Sequence, residues 1–172
     1  VAAYDLDFID KEEAVQTVQR TLSTIERLET WRNFPYNYYD TTTMERTSNF
    51  VSTIDCGWLI AGIYVAKHAF PAVLTKRCDA LLENYDFSLF YDDVKQTLYH
   101  GYFENIEAYA NYHYGTFYTE PRLVSYMAIA RGEVPAEHWF KLDRTLPETY
   151  TWQNQEPIDR QQKTYKDISY YG

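Results

Sequence analysis

Hydrophobic positions along this chain fall into two kinds of helical pattern, and the two kinds alternate. After Asp10, residues Val15, Val18, Leu22, Ile25 and Leu28 recur at three- and four-residue steps. Gln16, Gln19, Arg20, Glu26 and Arg27 take the other side, which predicts an amphipathic helix shielding a core. Asp10 with Glu13 forms a capping box at its start. From about Ile54 to Phe70 the polar face disappears: Trp58, Leu59, Ile60, Ala61, Ile63, Val65 and Ala66 predict a helix buried all round. Ser52 is its N-cap and Asp55 its third residue. Pro71 opens a third helix with one apolar stripe, Val73, Leu74, Cys78, Leu81 and Leu82, and with Lys76, Arg77, Asp79 and Glu83 toward water. A fourth helix, capped by Thr119 and entered through Pro121, is again apolar on every side, from Leu123 and Val124 through Tyr126 to Ala130. Gly132 suits its C′ position.

Two aromatic connections separate these helices. The first, 30–50, contains Phe34-Pro35-Tyr36-Asn37-Tyr38-Tyr39-Asp40 and three consecutive threonines, and reads as a hairpin or an ordered loop. The second, 86–118, opens with Phe87-Ser88-Leu89-Phe90-Tyr91-Asp92 and echoes the first, giving a repeat of roughly fifty residues. Pro135 to Phe140 reads as a short helix with proline at its first position. Outer helix, aromatic loop, inner helix, repeated, is the pattern of an α/α toroid, so the expected fold class is all-α. The expected organisation is one domain over 1–172, with a helical repeat core at about 10–140 and an irregular tail at 141–172. Four long helices are too few to close a ring, so the chain is expected to be incomplete or to pack on something else. Inner helices of a toroid run parallel, which would bring Asp55 and Glu120 out at the same end.

Composition narrows the partners. Lys and Arg number 16 against 25 Asp and Glu, and this net charge of −9 without a basic stripe argues against nucleic acid and anionic membranes. A neutral polymer fits better. The 18 tyrosines supply flat faces with polar tips, suited to stacking on sugar rings or to filling a core. No apolar run reaches the roughly 18 residues of a membrane span. The chain begins at Val1 without an initiator Met or signal peptide, as a mature form or an excerpt would. Cys56 and Cys78 would lie at unequal distances from a turn near Phe70-Pro71, an offset of about 1.5 Å per residue that disfavours a disulfide. They read as buried thiols, and no Cys/His cluster has zinc spacing.

Two acids stand at the mouths of two apolar helices. Glycoside hydrolysis uses a pair of carboxyl groups flanking the scissile bond, and Asp55 and Glu120 are the catalytic candidates. A helix N-terminus favours a charged carboxylate, which suits a base or a sugar-hydroxyl acceptor. The general acid is then a third group: Asp40, Asp92 or a residue outside this chain. Tyr38, Tyr39, Trp58, Tyr91, Tyr112, Tyr114 and Tyr118 are candidate sugar platforms, His113 a hydroxyl donor, and Arg122 a partner orienting Glu120. The plain alternatives are that Asp55 only completes a capping box, that Glu120 only pairs with Arg122, and that half the aromatics are core. His138 and Trp139 read as pins for the short helix.

Four segments together resemble the bacterial glucoamylase-like (glycoamylase) domain. They are Phe50-Val51-Ser52-Thr53-Ile54-Asp55-Cys56-Gly57-Trp58-Leu59, Tyr112-His113-Tyr114-Gly115, Thr119-Glu120-Pro121-Arg122 and Gly132-Glu133-Val134-Pro135-Ala136-Glu137-His138-Trp139-Phe140. That family includes endo-β-1,2-glucanases and a relative of unknown function in secreted bacterial proteins. The resemblance runs from about Trp31 to Phe140. It implies an (α/α)6 toroid, hydrolysis of a β-linked glucan with neither metal nor organic cofactor, and a periplasmic or extracellular bacterial location. It also implies that the chain is cut short of a Trp-Gly-Gly stretch and further helices. Cys56 departs from the family, where many relatives carry Asn or Ser. Three functions are therefore in view: a glycoside hydrolase acting on a β-glucan, a non-catalytic carbohydrate-binding or structural module, and a subunit of a larger assembly.

Overall fold

The structure, a computed structural model, describes residues 1–144 and the backbone of 162–165 and 168–171. Helix α1 (Ala2–Asp5) precedes α2 (Lys11–Ile25), whose first turn is closed by Asp10 accepting from the Glu13 amide at 2.9 Å. Strands β1 (Thr30–Trp31) and β2 (Phe34–Pro35) form a tight hairpin. Its two turn residues, Arg32 and Asn33, both have positive φ (47° and 72°), as a right-twisted two-residue hairpin requires. Strand β3 (Phe50–Ser52) runs directly into α3 (Thr53–Ala69), where Ser52 Oγ accepts from the Asp55 amide at 3.2 Å. Pro71 opens α4 (Pro71–Leu82). Strands β4 (Tyr91–Asp92), β5 (Thr97–Leu98), β6 (Gly101–Phe103) and β7 (Ala108–Tyr109) follow, then α5 (Pro121–Ala130) and α6 (His138–Lys141). Strands β8 (Gln162–Tyr165) and β9 (Ile168–Tyr171) pair as a hairpin inside the stretch expected to be an irregular tail. Residues 145–161, 166–167 and 172 of that tail lie outside the described residues.

The chain is not an all-α toroid. It is mixed α/β, with small antiparallel sheets among its helices. The aromatic connections account for the difference: their Tyr, Phe and Thr content favours pleated backbone, and the two connections pair with each other. Strand β6 lies between β3 and β7, with Ser52 opposite Gly101 and Tyr102 opposite Tyr109. The ladder therefore sutures the entry of α3 to the second connection. The expected repeat survives as a turn. Asp40 Oδ1 accepts from the Thr42 and Thr43 amides, and Asp92 Oδ1 from those of Val94 and Lys95. In each, the amide four residues on returns to the aspartate carbonyl, from a residue of positive φ, Met44 or Gln96.

The core lies where α3 meets α4, α5 and the aromatic segments. Ile60, Phe70, Leu74, Cys78, Val124 and Ala128 are buried, with Phe34, Phe87 and Phe90 forming an aromatic cluster beneath β2. Cys56 and Cys78 are buried free thiols. Charged residues expected to face water instead join helices: Arg77 on α4 bonds Glu26, Ser23 and the Gln19 carbonyl on or beside α2. Helix α3 is not buried all round. Asp55, Trp58, Gly62 and Val65 form an exposed stripe along it, and Tyr126 is exposed on α5. No described element packs over these positions, which apolarity alone could not reveal.

Helices α3 and α5 run parallel. A side chain at Gly57 would meet Val124 Cβ at 2.8 Å, so the two backbones are close there. Seven residues further along both helices, Arg131 Nη1 donates to the Tyr64 hydroxyl at 3.0 Å. The same pairing at both points fixes a parallel register. Gly132, with φ 74°, closes α5: its amide and that of Glu133 return to the Ile129 and Ala128 carbonyls, a Schellman cap. Arg131 also donates to Glu133 and to the Leu82 and Tyr85 carbonyls, latching α5 to the end of α4. Replacing it with Met removes four charged-donor hydrogen bonds and strands buried acceptors. We expect Arg131→Met to lose about 2–3 kcal/mol in a urea titration, since hydrogen bonds to charged groups are among the strongest.

Candidate functional site

The parallel register of α3 and α5 sets Asp55 and Glu120 at the same end of the pair. Both are exposed. Asp55 sits in the third position of α3. Glu120 immediately precedes α5, whose first helical residue is Pro121, and Thr119 does not cap that helix: its hydroxyl donates to the Thr116 carbonyl at 2.7 Å. Helices in contact have axes about 8–10 Å apart, and contact through a glycine puts this pair at the short end of that range.

Close to Asp55, and linked to Glu120 through Tyr114, stands a residue that the sequence pattern did not single out. His100 follows β5 and lies opposite Thr53, since the β3–β6 register extends one step: the Thr53 amide donates to the His100 carbonyl at 3.0 Å. Its ring stacks on Phe50 at 5.3 Å and meets Tyr112 at 4.8 Å and Tyr114 at 5.2 Å. Burial pushes the His100 imidazole pKa down, while the nearby Asp55 charge opposes that shift. His100 is therefore neutral at pH 7. The Tyr114 hydroxyl approaches Glu120 Oε2 to 3.5 Å, beyond a well-formed hydrogen bond but directed at it. Asp55, His100, Tyr112, Tyr114 and Glu120 thus share one face. The signal that could have found His100 is the alternation of Tyr99-His100-Gly101-Tyr102, which a strand reading would have split between two faces.

The other face of the same ribbon carries a second constellation. Tyr99 bridges to His113, and the two rings lie 4.5 Å apart. His113 Nε2 and Asp92 Oδ2 are hydrogen-bonded at 2.9 Å, both side chains nearly enclosed, with Lys95 Nζ 3.5 Å from His113 Nδ1. Burial pushes the Asp92 carboxyl up, but the Lys95 and Val94 amides, Tyr99 and His113 outweigh it and hold it below the usual carboxylate range. Asp92 and His113 are thus brought together, but as a braced turn on the opposite face from Asp55.

The remaining candidates spread out. Asp40 caps its own exposed turn. The Tyr39 hydroxyl accepts from the Tyr36 amide and donates to the Glu29 carbonyl, a strut within the first connection. Tyr38 is exposed, and Trp58 is exposed one turn along α3 from Asp55. Tyr91 packs edge-on against His138. Tyr118 is partly exposed and packs edge-on against Phe117. Arg122 lies over the Phe117 ring at 5.7 Å rather than on Glu120.

His138 is fully buried and pins α6, as its position suggested. Its Nδ1 donates to the Gln96 carbonyl at 3.1 Å, which leaves Nε2 to accept from the Ser125 hydroxyl at 2.8 Å. Burial pushes its pKa down and the Gln96 carbonyl opposes that. A histidine with a lowered folded pKa contributes stability above the unfolded value, about 6.5, that is lost as pH falls from there toward the folded value. We expect the urea midpoint to fall from pH 7 to pH 5. His138→Gln should be less stable at pH 7 by about 1–3 kcal/mol and should lose less on acidification.

Among the described residues, no three His, Cys, Asp or Glu side chains are placed to hold a metal, and no helix is long and apolar enough to cross a membrane. No family model matches the chain. Over 74 residues it is 35% identical to a protein named cyclic β-(1,2)-glucan synthase NdvB, from Rhizobium meliloti (strain 1021). The likeness is to a β-glucan-related protein. It covers 43% of this chain and 3% of that one, so the chain spans a small fraction of the relative it matches. Membership of the glucoamylase-like family does not follow from it.

Proposed function

We propose that the shared end of α3 and α5 is a β-glucan site where Asp55 and Glu120 act as the carboxyl pair of glycosidic hydrolysis. The observation that carries this reading is the parallel register that sets both acids at one exposed end, beside His100, Tyr112 and Tyr114. Similarity to a protein named for β-1,2-glucan supports the substrate class. In the reaction one carboxyl group protonates the leaving oxygen, and the other attacks the anomeric carbon or takes a proton from the attacking water. Closely packed helices allow the separation this needs, roughly 5–10 Å. The exposed Trp58 and Tyr112 rings offer stacking faces for further sugar units. In keeping with the resemblance, we place the protein outside the bacterial cytoplasm, with the rest of its domain or a partner protein covering the exposed stripe of α3.

A second reading, a carbohydrate-binding module without catalysis, is favoured by the exposure of both acids, because a general acid works best in a water-poor setting. One assay separates the two readings. The natural protein is incubated with a panel of β-glucans, linear β-1,2-glucan included, and new reducing ends are measured alongside binding. Release of reducing ends supports the hydrolase. Tight binding without release supports the module, and neither result with any glucan sinks both.

A further inference from the structure

His113 and Asp92 face away from the two acids, yet they hold a segment whose neighbouring side chains face toward them. Segment 112–115 pairs with the preceding ribbon through one isolated bridge, Tyr99 to His113, and not through a ladder. Backbone ties flank that bridge: the Tyr112 carbonyl accepts from the His100 amide at 3.3 Å, and the Gly115 carbonyl from the Asp143 amide at 2.7 Å. Successive side chains of extended backbone point to opposite faces, so the roll that turns His113 one way turns Tyr112 and Tyr114 the other. The rings follow this rule. His113 lies on Tyr99, while Tyr112 and Tyr114 both meet His100. The side-chain anchor at His113 is firm. A carboxylate only accepts, so Nε2 donates to Asp92 Oδ2, at 2.9 Å, and the two side chains are only 10% and 11% exposed. Asp92 is itself held in place, because its other oxygen takes the Val94 and Lys95 amides that close its turn. On the far face, the Tyr114 hydroxyl is directed at Glu120 Oε2, 3.5 Å away.

We propose that Asp92 and His113 are positioning residues for the glucan site: by fixing the roll of segment 112–115 they aim the Tyr114 hydroxyl at Glu120. This rests on the glucan-site reading above. It adds that a carboxylate–imidazole pair outside the site, on the opposite face of the ribbon, sets the geometry of one of the two acids. Without the anchor, Tyr114 drifts from Glu120, and small errors of placement at a reacting group are costly.

The test is steady-state release of reducing ends from linear β-1,2-glucan by the natural protein, in wild type, His113→Phe, His113→Gln, Tyr114→Phe and the double variant His113→Phe with Tyr114→Phe. Phenylalanine at 113 keeps a ring on Tyr99 but offers Asp92 no donor. Glutamine restores the donor, because its amide nitrogen reaches about as far as Nε2. His113→Phe and Tyr114→Phe should each lower kcat about tenfold, with KM changing less. His113→Gln should recover most of that loss. Because His113 acts through Tyr114, the double variant should be no slower than Tyr114→Phe alone, a non-additivity that general loosening of the fold would not produce. Wild-type kcat in folded His113→Phe or Tyr114→Phe, no recovery in His113→Gln, or losses that multiply to about a hundredfold in the double variant overturn this proposal and leave the glucan reading standing. A wild type that releases no reducing ends overturns this proposal together with the hydrolase reading. Should His113→Phe fail to fold, Asp92→Asn takes its place in the same comparison, since it keeps Oδ1 for the turn and removes the acceptor for His113.

Discussion

Asp55→Asn and Glu120→Gln are each expected to abolish most glucan hydrolysis while leaving the fold intact. Both residues are exposed, so neither substitution opens a cavity or strands a buried charge. The Ser52 cap on the Asp55 amide uses backbone and survives the change. An acid or base acting in the transition state contributes about 10²–10⁴-fold, and losses in kcat of that size are expected. KM should move little, because the amide replacements keep the shape and one acceptor. The measurement is steady-state release of reducing ends from linear β-1,2-glucan, with circular dichroism as the control for folding. Activity within a factor of two of wild type in either variant removes that residue from catalysis.

Gly101→Ala is expected to cause the largest loss of stability. Gly101 lies in the middle strand of the three-stranded sheet, opposite Ser52. A methyl group there would meet the Val51 carbonyl oxygen at 2.2 Å and the Phe50 ring at 2.5 Å. Val51 is fully buried and its carbonyl is backbone, so the ladder itself must open. Overpacking of this severity costs about 3 kcal/mol. For a chain of this size that is a fall in Tm of roughly 6–12 °C. Because β3 leads straight into α3, the same shift would displace Thr53 and Asp55. Gly62→Ala is the control: a methyl group there meets nothing within 4 Å. Differential scanning calorimetry should show the fall in Tm for Gly101→Ala and none of that size for Gly62→Ala.

What the sequence made legible follows from where its physics is local. The capping boxes at Asp10 and Ser52, proline at the start of α4 and α5, and glycine at the end of α5 were readable because each acts within a few residues. The alternating helix types also located all four long helices. The sheets were harder, because strands of two to four residues leave little period to detect, and Phe50 pairs with Phe103 across about a third of the chain. A tyrosine-rich loop and a tyrosine-rich strand differ only in what lies opposite. The all-α reading failed on that point. Of the candidate residues named from the sequence, the structure brings Tyr114 to Glu120 and sets Asp55 and Glu120 at one end of the α3–α5 pair. The sequence reading grouped Asp92 and His113 with them, whereas strand alternation turns that pair to the other face. It missed His100 because a lone histidine between tyrosines carries no signal until Thr53 is placed opposite it.

Locating a bound sugar would show directly whether the shared end of α3 and α5 is the glucan site. A crystal structure of the natural protein carrying Glu120→Gln, soaked with a linear β-1,2-glucan oligosaccharide, would do so. Sugar is expected at the shared end of α3 and α5, in contact with Asp55 and stacked on Tyr112 or Trp58. Sugar seated elsewhere, with this end left bare, would contradict the glucan-site reading.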